Sequence, residues 1–161
     1  MVLNGQIYGL SSEQLFQLWC QRGAEILSTI HGSFTMACWD KHTQRLWLIR
    51  DAMGIKPLYW SQSQDQLAFA SEPSFLLGLP WVSTELAFSQ LAEYLSFRYV
   101  HSPNTLYKDV SALPAGHMLV VEQNNAQLER WFRPNWWVPG SEIPDPAFAV
   151  DRIDTLIHRA V

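Results

Sequence analysis

The sequence has few charges, few cysteines and no long apolar run, and each shortage removes a class of protein. Charged residues make up 16% of the 161 positions, and 11 Lys+Arg against 15 Asp+Glu leave a net charge of −4. No basic field exists of the kind that nucleic-acid binding needs. With 48% hydrophobic residues, the chain is equally unlike a disordered one. Two cysteines, Cys20 and Cys38, make no disulfide framework, and their spacing fits no zinc pattern. Both sit among apolar neighbours and read as inert, buried thiols. The five histidines form no H-x-H, H-E-x-x-H or Cys/His cluster, and no G-x-S-x-G elbow, Walker loop or G-x-G-x-x-G fingerprint occurs. The first residues lack the basic and apolar regions of a signal peptide, and no stretch is apolar for long enough to span a bilayer. A cytoplasmic protein without nucleic-acid or membrane partners is the simplest account.

What the chain does have is aromatic side chains, eight Trp, eight Phe and five Tyr, which suit half-buried pleated surfaces. Residues 2–8 read as a short strand in which Asn4-Gly5 invites a turn or bulge. Ser11 and Gln14 have the spacing of a capping box. The helix behind them groups Leu15, Leu18, Trp19 and Arg22, and Gly23 stops it. A second short helix is expected over 24–30, burying Ile26, Leu27 and Ile30. The period then becomes two: Phe34, Met36 and Cys38 share one face of a strand. Residues 45–49 are apolar on both faces, as in a central strand covered on both sides. Hairpins are expected around 61–65 and around Asn124-Asn125, and helices over 73–77 and 88–97, the latter with Phe88, Leu91, Ala92 and Leu95 at helical spacing.

From Arg133 to Ala147 the composition shifts: four of the nine prolines fall here, the mark of a stiff, extended linker. Asp145 and Pro146 then open a last helix with an apolar stripe of Val150, Ile153, Leu156, Ile157 and Ala160. Such a stripe needs something to pack against. Residues alone support a soluble mixed α and β domain with no assigned activity.

Several stretches in fixed order go further. They are Asn4-Gly5-Gln6-Ile7-Tyr8, Gly32-Ser33-Phe34 leading into Cys38-Trp39-Asp40, and Arg50-Asp51 running through Gly54-Ile55-Lys56-Pro57-Leu58-Tyr59. Phe69-Ala70-Ser71-Glu72, Leu113-Pro114-Ala115-Gly116-His117 and Arg130-Trp131-Phe132 complete the set. Together they resemble the N-terminal glutaminase half of glutamine-hydrolysing asparagine synthetases, which are class II, N-terminal-nucleophile amidotransferases. The resemblance implies an α+β fold, an N-terminal-nucleophile-type α/β/β/α sandwich of antiparallel sheets, here incomplete at its N-terminus. It implies a cysteine that attacks the glutamine amide with its own α-amino group as base. It also implies an oxyanion hole made by an Asn side chain and a Gly backbone N–H, and ammonia passed to an ATP-using domain that amidates aspartate.

Carried over residue by residue, Asn4 and Gly5 match the oxyanion-hole pair and Gln6 the position beside it. The segment 50–59 reads as structural, with Arg50 and Asp51 as a pair, Gly54 for the chain reversal and Pro57 before the next strand. Two features depart from the family. Neither Cys20 nor Cys38 matches its nucleophile, and Ser11 falls where it has an Asp that would hold the glutamine α-amino group. The expected organisation is a partial type 2 amidotransferase domain over 1–132, a linker over 133–147, and over 148–161 the first helix of a missing synthetase domain. The first expectation for function is a partial asparagine synthetase, inactive alone, with no catalytic residue and no metal or cofactor of its own; ATP and Mg belong to the missing domain. The alternative is a non-catalytic interaction module of a split amide-forming enzyme such as a lasso-peptide cyclase. Its partners would be a synthetase domain or a second copy, with glutamine as the family substrate. A glutaminase using Cys20 or Cys38 ranks last.

Overall fold

The computed structural model describes residues 1–134 and 145–160. Five strands form one antiparallel sheet in the order β1-β2-β3-β7-β8: β1 (Val2–Ile7), β2 (Gly32–Asp40), β3 (Arg45–Arg50), β7 (His117–Glu122) and β8 (Asn125–Arg130). A second antiparallel sheet has the order β5-β4-β6, from β4 (Tyr59–Gln62), β5 (Leu67–Ala70) and β6 (Ser111–Ala112). The helices are α1 (Ser12–Arg22), α2 (Pro73–Leu77), α3 (Phe88–Phe97) and α4 (Pro146–Ala160), with a 3-10 helix over Gly23–Ser28.

Side-chain alternation on the large sheet explains the layering. Leu3, Ile7, Phe34, Met36, Cys38, Trp47 and Ile49 point to one face, where they meet Leu15, Ile26, Leu27 and Ile30 of α1 and the residues after it. Their strand neighbours Ala37, Leu46, Leu48, Leu119 and Val121 point the other way and pack against Leu58, Trp60, Leu67 and Leu113 of the small sheet. The far side of the small sheet packs on Leu76 and Leu77 of α2 together with Val82 and Val110. The period-two reading of β2 and the doubly covered β3 hold. So does the capping box, with Gln14 N–H donating to Ser11 Oγ at 3.2 Å and Ser11 N–H to Gln14 Oε1 at 2.9 Å.

Other expectations need correction. Asn124-Asn125 is not the turn pair: the chain reverses at Gln123-Asn124, both at positive φ (47° and 65°), and Asn125 already begins β8. A two-residue hairpin turn twisted to match its strands requires that conformation at both positions. Cys20 is exposed, since α1 turns its other face to the sheet; Cys38 alone is buried. The apolar spacing on α3 covers nothing: none of its residues is buried, and Phe88 and Leu95 are 72% and 68% exposed. α4 likewise shows Val150, Ile153, Leu156 and Ile157 to solvent. The linker expected over 133–147 lies mostly outside the described residues, as does the side chain of Ala160. Among the described residues no helix is long and apolar enough to cross a membrane.

Arg50 and Asp51 do not pair, because consecutive residues on extended backbone point to opposite sides. Asp51, fully buried, accepts backbone N–H bonds from Met53, Ile55 and Lys56 at 3.0 Å and from Phe34 at 3.3 Å. Arg50 instead donates to the carbonyls of Lys56 (2.8 Å), Leu113 (2.7 Å) and Gly54 (2.8 Å). One anion collects N–H groups and its neighbouring cation collects carbonyls, and the loop that joins the two sheets is fixed between them. Asp51→Asn exchanges half of an acceptor-only group for a donor facing those N–H groups. It should cost about 2–4 kcal/mol, read as a lower urea midpoint at unchanged slope. A loss below about 0.5 kcal/mol would show that the buried carboxylate is not what holds the loop.

Candidate functional site

Asn4, Gly5 and Gln6 lie on β1, at the edge of the large sheet, and all three are exposed. Gly5 is set opposite Phe34 and Asn4 opposite Thr35. Phe34 uses both of its backbone groups on Asp51, donating to its carboxylate and accepting from its N–H at 2.9 Å, so neither serves Gly5 across the ladder. Gly5 has φ +111°, and a Cβ there would come within 2.1 Å of the Ser33 carbonyl oxygen. Gly32 answers it from β2, where a Cβ would fall 2.2 Å from the Gln6 oxygen. Only glycine fits either position.

Asn4 faces a cleft of about 140 Å³ between the two sheets, shared with Thr35, Ala37, Leu58, Phe69 and Ser71. The cleft joins an amide side chain to two hydroxyls, and no titratable group lines it. It can donate hydrogen bonds to an oxygen that gains charge, but it holds no base and no nucleophile. Ser11 lies elsewhere: it caps α1, its hydroxyl accepting the Gln14 N–H, and it does not line the cleft. Thr35 and Ser71 were not singled out as site residues. Ser71 sits in the Phe-Ala-Ser-Glu stretch that carries part of the resemblance, while Thr35, as one polar residue of an alternating strand, carried no signal.

Neither thiol belongs to the cleft. Cys38 points into the layer beneath α1, and burial pushes its thiol from 9.0 up to about 12. Both cysteines line a separate hollow with Trp19, Trp39 and Trp47. Among the described residues no three His, Cys, Asp or Glu side chains stand together as metal ligands.

Residues 10–132 match the model of a glutamine amidotransferase domain. The match begins after Asn4, Gly5 and Gln6 and ends at Phe132. Over 119 residues the chain is 34% identical to a putative glutamine-hydrolyzing asparagine synthetase of Mycobacterium tuberculosis, covering 71% of this chain and 18% of that protein. It is 31% identical over 113 residues to glutamine-hydrolyzing asparagine synthetase 1 of Bacillus subtilis, covering 70% and 18%. It is 29% identical over 139 residues to amidase chry2 of Gibberella zeae, covering 86% and 19%. The chain thus spans under a fifth of the length of these curated relatives.

A thiol displaced to about 12 is almost entirely protonated at neutral pH. Iodoacetamide should therefore alkylate exposed Cys20 well before Cys38 in the native protein, the thiolate fraction of Cys38 being roughly a thousandfold below that of an unshifted thiol. Peptide mapping by mass spectrometry after timed quenching gives the order. Equal labelling of both sites in folded protein would contradict the burial of Cys38.

Proposed function

The chain belongs to the glutamine amidotransferase domain family, and from that premise we propose that it is the glutaminase-side part of an asparagine-synthetase-type enzyme. In this reading Asn4 and the Gly5 N–H form the oxyanion hole for the glutamine side-chain carbonyl, with Gln6 beside them. The observation that carries it is the position of Asn4: at an open strand edge, over a donor-lined cleft between two antiparallel sheets, beside a glycine that no other residue can replace. The order of layers, α1 on the large sheet, then the small sheet, then α2, supports an N-terminal-nucleophile-type sandwich.

The chemistry of these residues is one-sided. Two donors can stabilise a tetrahedral oxyanion, but an amide does not open without a nucleophile, and Cys38 and Cys20 lie away from the cleft. We therefore assign the attacking thiol to a segment other than these residues, and the 161-residue chain no ammonia release of its own. In this reading ATP and Mg act in the synthetase part of the parent enzyme. Residues 1–132 then form the amidotransferase part, 133–147 a linker and 148–161 the beginning of the synthetase part. Binding of glutamine by the chain alone is weak in this reading, since Ser11 offers a hydroxyl already engaged at the helix cap where the family has a carboxylate.

A second reading, a non-catalytic docking module, is favoured by one observation: α3 and α4 both present unpartnered apolar faces. Its partner would be a synthetase domain or a second copy. Light scattering after size exclusion separates the readings, because a monomer that binds no synthetase domain speaks against docking.

Supplied with glutamine, aspartate, ATP and Mg, the chain should release no ammonia above a buffer blank. Fused behind the N-terminal segment of the B. subtilis relative, up to the counterpart of Val2, it should gain glutaminase activity. Asn4→Ala should then cut kcat by about 10²–10³. A folded fusion whose rate ignores Asn4→Ala would remove the oxyanion-hole assignment, and turnover by the chain alone would remove the inactivity.

A further inference from the structure

A second hollow in the described residues is larger than the cleft at Asn4. It has a volume of about 480 Å³ and lies between α3, the segment 99–107 and strands β4 and β6 of the small sheet. That is within the span of roughly 300–1,000 Å³ usual for small-molecule sites. It shares no lining residue with the Asn4 cleft.

Its wall has an unusual balance of charge. Four tyrosines, Tyr59, Tyr94, Tyr99 and Tyr107, line it together with His101 and Arg50, and no Asp or Glu does. Burial works against the Arg50 charge, and no carboxylate pairs with it among the described residues. Three of its N–H groups go to the carbonyls of Lys56, Leu113 and Gly54. A guanidinium has five N–H donors, so two are left over. The nearest acid on α3, Glu93, is engaged by the backbone N–H of His101 at 3.2 Å and by its Nδ1. The other ring nitrogen, Nε2, lies 2.8 Å from the Tyr99 hydroxyl and shares a hydrogen bond with it. The segment is thereby held with its aromatic rings along the cavity, Phe97, Tyr99 and His101 stacking edge to face or tilted.

The Asp51 carboxylate, on the other side of the backbone, supports the Arg50 charge, but no carboxylate lines the cavity itself, so a negative group meets no like charge there and a cation finds no counter-charge. Flat rings on several sides favour a flat or apolar body. We propose that this cavity is a second binding site, for a small ligand that carries a carboxylate or phosphate group on a planar or apolar body. The anionic group meets Arg50 and the body lies against Tyr94, Tyr99 and Tyr107.

The test uses the full chain and three probes of one shape: benzoate, phenyl phosphate and the cation benzamidine. In amide NMR titrations, benzoate or phenyl phosphate should give saturable shifts in residues 99–107, and the tighter of the two identifies the oxyanion. Benzamidine should give none there. Arg50→Gln should weaken the anion at least about tenfold. Because Arg50 also ties three carbonyls, Tyr99→Ala on the exposed segment is the companion variant, expected to weaken binding about threefold or more. No saturable shift with either anion, equal binding of benzamidine, or binding that both variants leave intact would each overturn the proposal.

Discussion

The buried carboxylate of Asp51 is the constraint on which the rest of the molecule depends. It sits at the end of β3, where the chain leaves the large sheet and must cross to the small one. Four backbone N–H groups converge on it, three from the crossing loop itself and one from β2. A loop of this kind has backbone donors that neither sheet satisfies, and leaving them unpaired inside the protein would cost more than burying one well-coordinated charge. Its main-chain carbonyl adds bonds from the N–H groups of Gly54 and Gly116, which draws in the start of β7. Gly54 (φ +69°) makes the reversal between them. Trp131, directly after β8, closes the same region, its indole N–H donating to the Arg50 carbonyl at 3.1 Å.

This arrangement reaches the cleft directly. Phe34 turns both backbone groups toward Asp51, so it faces Gly5 as a non-hydrogen-bonded pair, and the close contact of Gly5 with Ser33 is tolerable only without a side chain. The same crossing loop delivers Leu58 and β4, and through β4 the β5 residues that bring Ser71 opposite Asn4. The position of the cleft therefore depends on the loop that the buried Asp51 carboxylate fixes. Arg50, on the opposite side of the backbone, does for carbonyls what Asp51 does for amides, and it also lines the other cavity.

How much of this the sequence discloses depends on whether a pattern is local. The capping box at Ser11, the stop at Gly23 and the two faces of β2 and β3 are local, and each is legible in a few neighbouring residues. The exposure of α3 and of Cys20 is not. Helical spacing shows that Phe88, Leu91, Ala92 and Leu95 form a stripe, yet nothing within the stripe says whether another layer covers it. Arg50-Asp51 misleads for a related reason. Opposite charges side by side suggest a pair, but extended backbone sends them apart, and their real partners are main-chain groups that a string of side chains does not show. Asn4, Gly5 and Gln6 became visible only through resemblance, since an Asn-Gly pair by itself is an ordinary turn. Thr35 lies on β2 of the large sheet and Ser71 just after β5 of the small one, and no spacing rule joins them.

The cleft at Asn4 and the cavity at Arg50 differ in chemistry. The cleft at Asn4 has hydrogen-bond donors and nothing that titrates, while the cavity at Arg50 has a cation, an imidazole and four phenols but lies outside the edge strand. Donors at an oxyanion hole act only on charge that an attacking group creates, and their contribution of about 3 kcal/mol each is realised in the transition state alone. Without attack the cleft is a weak polar groove, and its geometry brings no selective return on a bound amide. A glycine that tolerates no substitution, held at the rim of such a groove by a buried carboxylate, is therefore best understood as half of a site. In the proposed reading the other half presents a nucleophile over the open edge of β1, which among the described residues is, with β8, a strand of the large sheet with one side left unpaired.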